Sequence, residues 1–325
     1  MQRRQLILGA AAAALASAAP AVFAQAPWPS RPVRLVVPFP PGGGTDATSR
    51  LVADKFNTLL QWTVVVDNKP GAAGNIGLDA VAKSAPDGYT LGMGQASNLA
   101  INPALYTAMP FNPLKDFTPI VSVAEQPVVL VVRADSPFRT LAEFVQAAKA
   151  KPGTLSIAQA GNGTVGHLAG EMLARRAGMR ILQVPYKGAG PAMTDLLGGQ
   201  VDGYFGNSVS VMTQVQAGKV RALCITSARR LPALGQVPTV AEQGYAGFEA
   251  VTWLGLVGPA GMPAELVERI NRETVKILAR PDVRERIAAE GGIPTPGTPQ
   301  QFAQLIQSET TKWGALIREA NIKLD

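Results

Sequence analysis

Residues 156 to 173 read SIAQAGNGTVGHLAGEML, and two folds compete for them. An apolar run of strand length ends at Ala160, GNGTVG then satisfies the spacing GxGxxG, and the residues after it have helical period. That is the local context of a dinucleotide-binding loop, where glycines admit a pyrophosphate and the helix N-terminus holds its charge. A nicotinamide site also needs an acid at the end of the next strand to bind the ribose hydroxyls. Here that strand ends QVPYKG, and Asp195 lies beyond it in a helical segment. The same glycines suit another use, in which main-chain amides cradle a carboxylate. We adopt that second reading and keep an NAD(P)-dependent oxidoreductase built on GNGTVG as the alternative.

The surrounding chain repeats the device. FPPGGGTDATSR (39–50), KPGAAGNIG (69–77) and YKGAGPAMTDLL (186–197) also join a strand-like run to a helix-like one. Glycine lets the backbone approach a ligand, and the free amides of the following helix point at whatever lies above them. With the positive end of the helix dipole, such a junction receives a carboxylate or phosphate without a lysine or a metal. FPPGGG lacks the GK[ST] of a phosphate-binding P-loop.

Strands are expected at 33–39, 63–68, 89–94, 155–160, 181–186, 202–207 and 221–227, with helices between them, the alternation of a parallel α/β sheet. Thr45 reads as an N-cap, and Thr140 with Glu143 and Thr298 with Gln301 read as capping boxes. Two extended stretches, 118–137 and 248–259, exceed the usual strand length and read as crossings between two lobes. The expected architecture is therefore a two-lobed α/β fold, each lobe a mostly parallel sheet flanked by helices. Residues 25–124 and 248–325 form lobe 1, 125–247 form an inserted lobe 2, and two connections allow hinge closure.

Composition narrows the function. The first 24 residues pair Arg3 and Arg4 with an Ala-rich apolar run ending in small residues, the pattern of a cleavable export signal on either the Sec or the Tat route. The remaining chain has no apolar stretch of membrane-spanning length, and the single cysteine, Cys224, reads as a buried hydrophobe. The full chain of 325 residues carries a net charge of +7, unclustered, which suits an anionic ligand and not a nucleic acid. One histidine, one cysteine and ungrouped acids leave no metal cluster and no cofactor. A third reading, a secreted hydrolase, would need His167, a serine and Asp46 to converge from separate loops; His167 also fits a packed first-turn histidine.

The residues VPFPPGGGTD, GAAGNIG, INPALY, GNGTVGHLAGEML, VPYKG, LLGGQVD, VPTVAEQG and TWLGLVGPAGMP, in this order, resemble the Bug-type (TctC-like) periplasmic solute receptors of tripartite tricarboxylate transporters. The resemblance implies a receptor and not an enzyme, a monomer closing over a small mono- or dicarboxylate and delivering it to membrane permease subunits. It also implies ligand-binding positions. These are Phe39, Pro41, Gly42, Gly43, Thr45 and Asp46 in the first loop, and Gln95, Ala96 and Ser97 after the third strand. In the inserted lobe they are Gly161, Asn162, Gly163, Thr164 and His167, then Tyr186, Lys187 and Gly188, with Asp202 and Asn207 bounding DGYFGN. Thr164 is assigned to one carboxylate, and Ser97 with the first loop to the other end of the ligand. Trp253 is expected to pack in the core or hinge.

Overall fold

The computed structural model describes residues 28–322, so the export signal expected at 1–24 lies outside the described residues. The chain divides into a short N-terminal unit, Met1–Arg31, and a body, Pro32–Asp325, which carries all that follows.

The body begins with alternating strands and helices: β1 (Val33–Val37), α1 (Gly44–Leu60), β2 (Val64–Asn68), α2 (Asn75–Ala82) and β3 (Thr90–Gln95). A wide π-helical turn, Ser97–Ile101, leads into the short α3 (Asn102–Leu105). β4 (Phe117–Arg133) is a single strand of 17 residues. After it come α4 (Leu141–Ala150), β5 (Ser156–Gln159), α5 (Val165–Ala177), β6 (Leu182–Pro185), α6 (Ala189–Leu197), β7 (Gly203–Asn207), α7 (Ser208–Gln216) and β8 (Val220–Ile225). The chain closes with β9 (Val251–Pro259), α8 (Ala264–Ala279), α9 (Pro281–Ala289), β10 (Ile293–Pro294) and α10 (Pro299–Ala320).

The strands run in the order β2-β1-β3-β9-β4-β7-β5-β6, with β8 and β10 also paired to β4. β1 pairs in parallel with β2 and β3, and β5 pairs in parallel with β6 and β7. These two parallel groups carry the glycine-rich junctions. Between them β4 and β9 run antiparallel to their neighbours, which the expectation of mostly parallel sheets did not include. β4 changes partner part-way along its length: Pro127 still faces Val251 of β9, whereas Val128 faces Asn207 of β7. The second long stretch is shorter than expected as a strand; ahead of β9, Ala250 accepts from the Thr226 hydroxyl and donates to the Thr226 carbonyl. β10, two residues pairing with β4, was absent from the sequence reading.

Local signals account for most helix starts. Both capping boxes form, with Glu143 at α4 and Gln301 at α10 each reaching back to the amide of its cap residue. Thr45 is a correction. It sits inside α1, whose N-cap is Gly43, and its hydroxyl instead donates to Gln95 at 3.1 Å. A buried acceptor from a neighbouring strand has drawn the side chain away from its own helix. α10 lies against the antiparallel strands: Phe302 and Trp313 are fully buried, and Phe302 meets Trp253 edge-on at 5.8 Å. Trp253 is thus core packing, and Cys224 is buried with its thiol pushed up to about 12 by desolvation.

Candidate functional site

The carboxyl end of β1 opens into the loop 39–43, and α1 begins without a side-chain cap at Gly43. The first amides of a helix have no intrahelical partner, so those of α1 remain available. Gly42 adopts φ +83°, which glycine permits at little cost. Asp46 holds this loop in place. Its carboxylate accepts from the Gly42 amide and from Arg50 Nε, each at 3.0 Å, and from Asn68 Nδ2 at 2.9 Å. Burial opposes ionisation, but the bonds from Arg50, Gly42 and Asn68 outweigh it and keep the carboxyl below its usual range. From β3, Gln95 accepts from Thr45 and donates to the Ser97 hydroxyl, which fixes Ser97 beside the first turn of α1.

The loop after β5 is organised by its own side chains. Gln159 accepts from the Gly161 amide at 2.9 Å and donates to Asn162 Oδ1 at 2.8 Å. Thr164 caps α5 by accepting from the His167 amide, while its hydroxyl donates to the Gly161 carbonyl at 2.8 Å. His167 Nδ1 accepts from the Gly163 amide at 3.4 Å, and burial lowers the imidazole to about 4. It is a neutral brace for the loop at neutral pH. α6 and α7 also start without side-chain caps, at Gly188 and Asn207. Asn207 is held by Thr252 Oγ1 at 3.0 Å and by Gln126 Oε1 at 3.3 Å.

The starts of α1, α5, α6 and α7 converge on one cavity of about 40 Å³, whose polar side chains are Thr45, Gln95, Ser97, Thr164, Tyr204, Asn207, Ser210 and Thr252. No charged side chain lines it among the described residues. A second cavity of about 470 Å³ lies outside it, against Ala72, Ala73, Tyr106, Asn162, Tyr186 and Lys187. The two share the walls Phe39, Pro40, Ala160 and Gly188. The loops around these cavities approach closely: a Cβ built on Gly188 would stand 2.9 Å from Pro40 Cγ, and one on Gly163 would stand 2.7 Å from Asn102 Oδ1.

Of the positions named from the sequence, Phe39, Gly43, Thr45, Gln95, Ser97, Thr164, Gly188 and Asn207 line the inner cavity. Gly161, Asn162, Tyr186 and Lys187 line the outer one. Pro41, Gly42, Asp46, Ala96, Gly163, His167 and Asp202 line neither. Asp46 and His167 instead brace their loops, and Asp202 accepts from the amide and hydroxyl of Ser156, which fastens β5 to β7. The sequence reading missed Gln126 and Thr252. Gln126 is fully buried in β4 and donates to the Gly44 carbonyl and to Thr48, joining α1 to Asn207 at the start of α7. A glutamine set directly before the apolar run 127–132 of β4 was the available signal.

A family profile described as "Tripartite tricarboxylate transporter family receptor" matches residues 48–322. The chain belongs to this family. Protein BugT of Bordetella pertussis is 38% identical over 298 residues, 91% of each chain. Among solved structures, R. palustris Rpa4515 with adipate has a TM-score of 0.89 at 34% identity, covering 91% of this chain and 99% of that one. MatC from Rhodopseudomonas palustris with bound malate has a TM-score of 0.84 at 34% identity, covering 89% and 100%. The fold is that of periplasmic binding proteins, and the relatives are solute receptors of the Bug and TctC type.

Proposed function

We propose that this protein is an exported receptor that closes over a small organic acid and delivers it to the membrane permease of a tripartite tricarboxylate transporter, performing no chemistry on it. One observation carries the reading: four helix N-termini, three of them without a side-chain cap, face one cavity that has hydroxyls and amides but no charged side chain among the described residues. Such a site suits a carboxylate, because each amide donates to the anion and the dipoles supply positive potential. Three to five charge-assisted hydrogen bonds at roughly 1.5 to 3 kcal/mol each are enough for binding near micromolar, about 8 kcal/mol, after ordering costs. The adipate and malate in the neighbouring structures support the same ligand class.

The mechanism is closure. Lobe 1, residues 25–124 and 248–325, would supply the α1 loop and Ser97; lobe 2, residues 125–247, would supply Thr164, Gly188 and Asn207. Ligand bound between them stabilises the approach of Pro40 to Gly188. Residues 1–24 would direct export to the periplasm. His167, held neutral and engaged by the Gly163 amide, acts as a brace and not as a base. Titrating the protein lacking residues 1–24 with adipate, malate and NADH tests the reading. Saturable binding of at least one acid, with a rise in melting temperature, is expected; saturable NADH binding without acid binding would overturn it.

A further inference from the structure

We propose that the two cavities divide one solute between them, so that the ligand is an amine-free dicarboxylate whose carboxylates are separated by four or more apolar carbons. The inference rests on the receptor reading above and names the substrate within that class. At about 10 to 15 Å³ per water position, the inner cavity of about 40 Å³ has room for one carboxylate and the carbon that bears it. The rest of the ligand must pass the throat formed by Phe39, Pro40, Ala160 and Gly188, which offers no polar side chain. A second carboxylate stopping there, as in a four-carbon diacid, would give up water beside walls that carry no hydroxyl, amide or cationic side chain, and would fall short of the lysine beyond. Methylenes fill the same space without that cost.

Beyond the throat, Lys187 is the one charged side chain on the wall of the outer cavity among the described residues. It is exposed and forms no ion pair among them. The Tyr186 hydroxyl beside it already donates to Asp195 at 2.7 Å. The same cavity is lined by the turn Gly71–Gly74, in which Ala72 and Ala73 sit at φ +47° and +49°. Alanine resists this left-handed conformation and glycine does not. Methyl groups kept at two such positions give the wall an apolar surface that glycine would not. No acid lines either cavity among the described residues, and Asp46 is committed to Gly42, Arg50 and Asn68, so an α-ammonium would go unpaired.

Calorimetric titration of the protein lacking residues 1–24, and of its Lys187→Met variant, with adipate, succinate, hexanoate and 2-aminoadipate tests this assignment. Adipate should bind at least about tenfold more tightly than succinate or 2-aminoadipate, since the unpaired charge in each is costly. Lys187→Met should weaken adipate about 5- to 20-fold while leaving hexanoate within about twofold, because the lysine meets only the second carboxylate. Succinate binding as tightly as adipate, or equal losses for adipate and hexanoate in Lys187→Met, would overturn the division of the solute while leaving a carboxylate receptor standing. Absence of binding by every acid would refute the receptor reading itself.

Discussion

Gly188→Ala separates two effects that meet at the throat. Gly188 has φ +114° and ψ 177°, a region essentially restricted to glycine. Alanine there costs about 1 to 3 kcal/mol of folding free energy whether the cleft is open or closed. The new Cβ would also stand 2.9 Å from Pro40 Cγ, a contact that on the proposed closure arises only when the two loops meet. Overpacking of this kind costs about 1 to 3 kcal/mol, and here it falls on the closed state alone. A ligand that requires closure then loses affinity by a factor of about 5 to 150, at 1.4 kcal/mol per decade. Urea unfolding of the ligand-free variant measures the first effect, and calorimetric titration with the cognate acid measures the second. A stability loss with affinity unchanged within about twofold would refute the closing contact between Pro40 and Gly188.

Two further outcomes follow from buried polar groups. Gln126→Leu removes the partner of Thr48 and of Asn207 Nδ2 in a fully buried position. At about 1 to 3 kcal/mol for each group left unsatisfied, it should destabilise the protein by about 2 to 6 kcal/mol. Its urea midpoint should fall and ligand affinity with it; a midpoint equal to the parent's would count against the network. His167 governs a pH dependence. Burial lowers its folded-state value to about 4, while the unfolded chain takes up a proton near 6.5. The folded state therefore binds fewer protons between these values, so stability is complete above pH 6.5 and declines as pH falls, by about 3 kcal/mol at pH 4. Unfolding midpoints of His167→Gln should show a flatter slope over that window, and an unchanged slope would remove His167 as the cause.

Local features of the chain were legible in the sequence where a residue type admits one physical role. Thr140 and Thr298 cap helices because each precedes a helical segment with free amides to satisfy. The lengths of 118–137 and 248–259 marked long strands, and the strands formed there, β4 and β9, have 17 and nine residues. What the sequence withheld depends on pairing between distant segments. Nothing local in Thr45 announces that Gln95, fifty residues on, will take its hydroxyl. Asp46 and His167 stand in the right loops and have the right chemistry for a ligand, yet their partners are Gly42, Arg50 and Asn68 in one case and Gly163 in the other. Loop composition alone cannot tell a group that grips a ligand from one that holds the grip in shape. Gln126 and Thr252 escaped because they lie in strands remote in sequence from every glycine-rich loop, and only the fold brings both to Asn207.

The most direct test of the central claim is a crystal structure of the protein lacking residues 1–24 with adipate bound. The account predicts one carboxylate in the inner cavity, about 2.7 to 3.1 Å from main-chain amides at the starts of α1 and α5 and beside the Ser97 hydroxyl, with no lysine or arginine in contact with it. A carboxylate seated on a cationic side chain elsewhere, with the inner cavity holding only water, would contradict it.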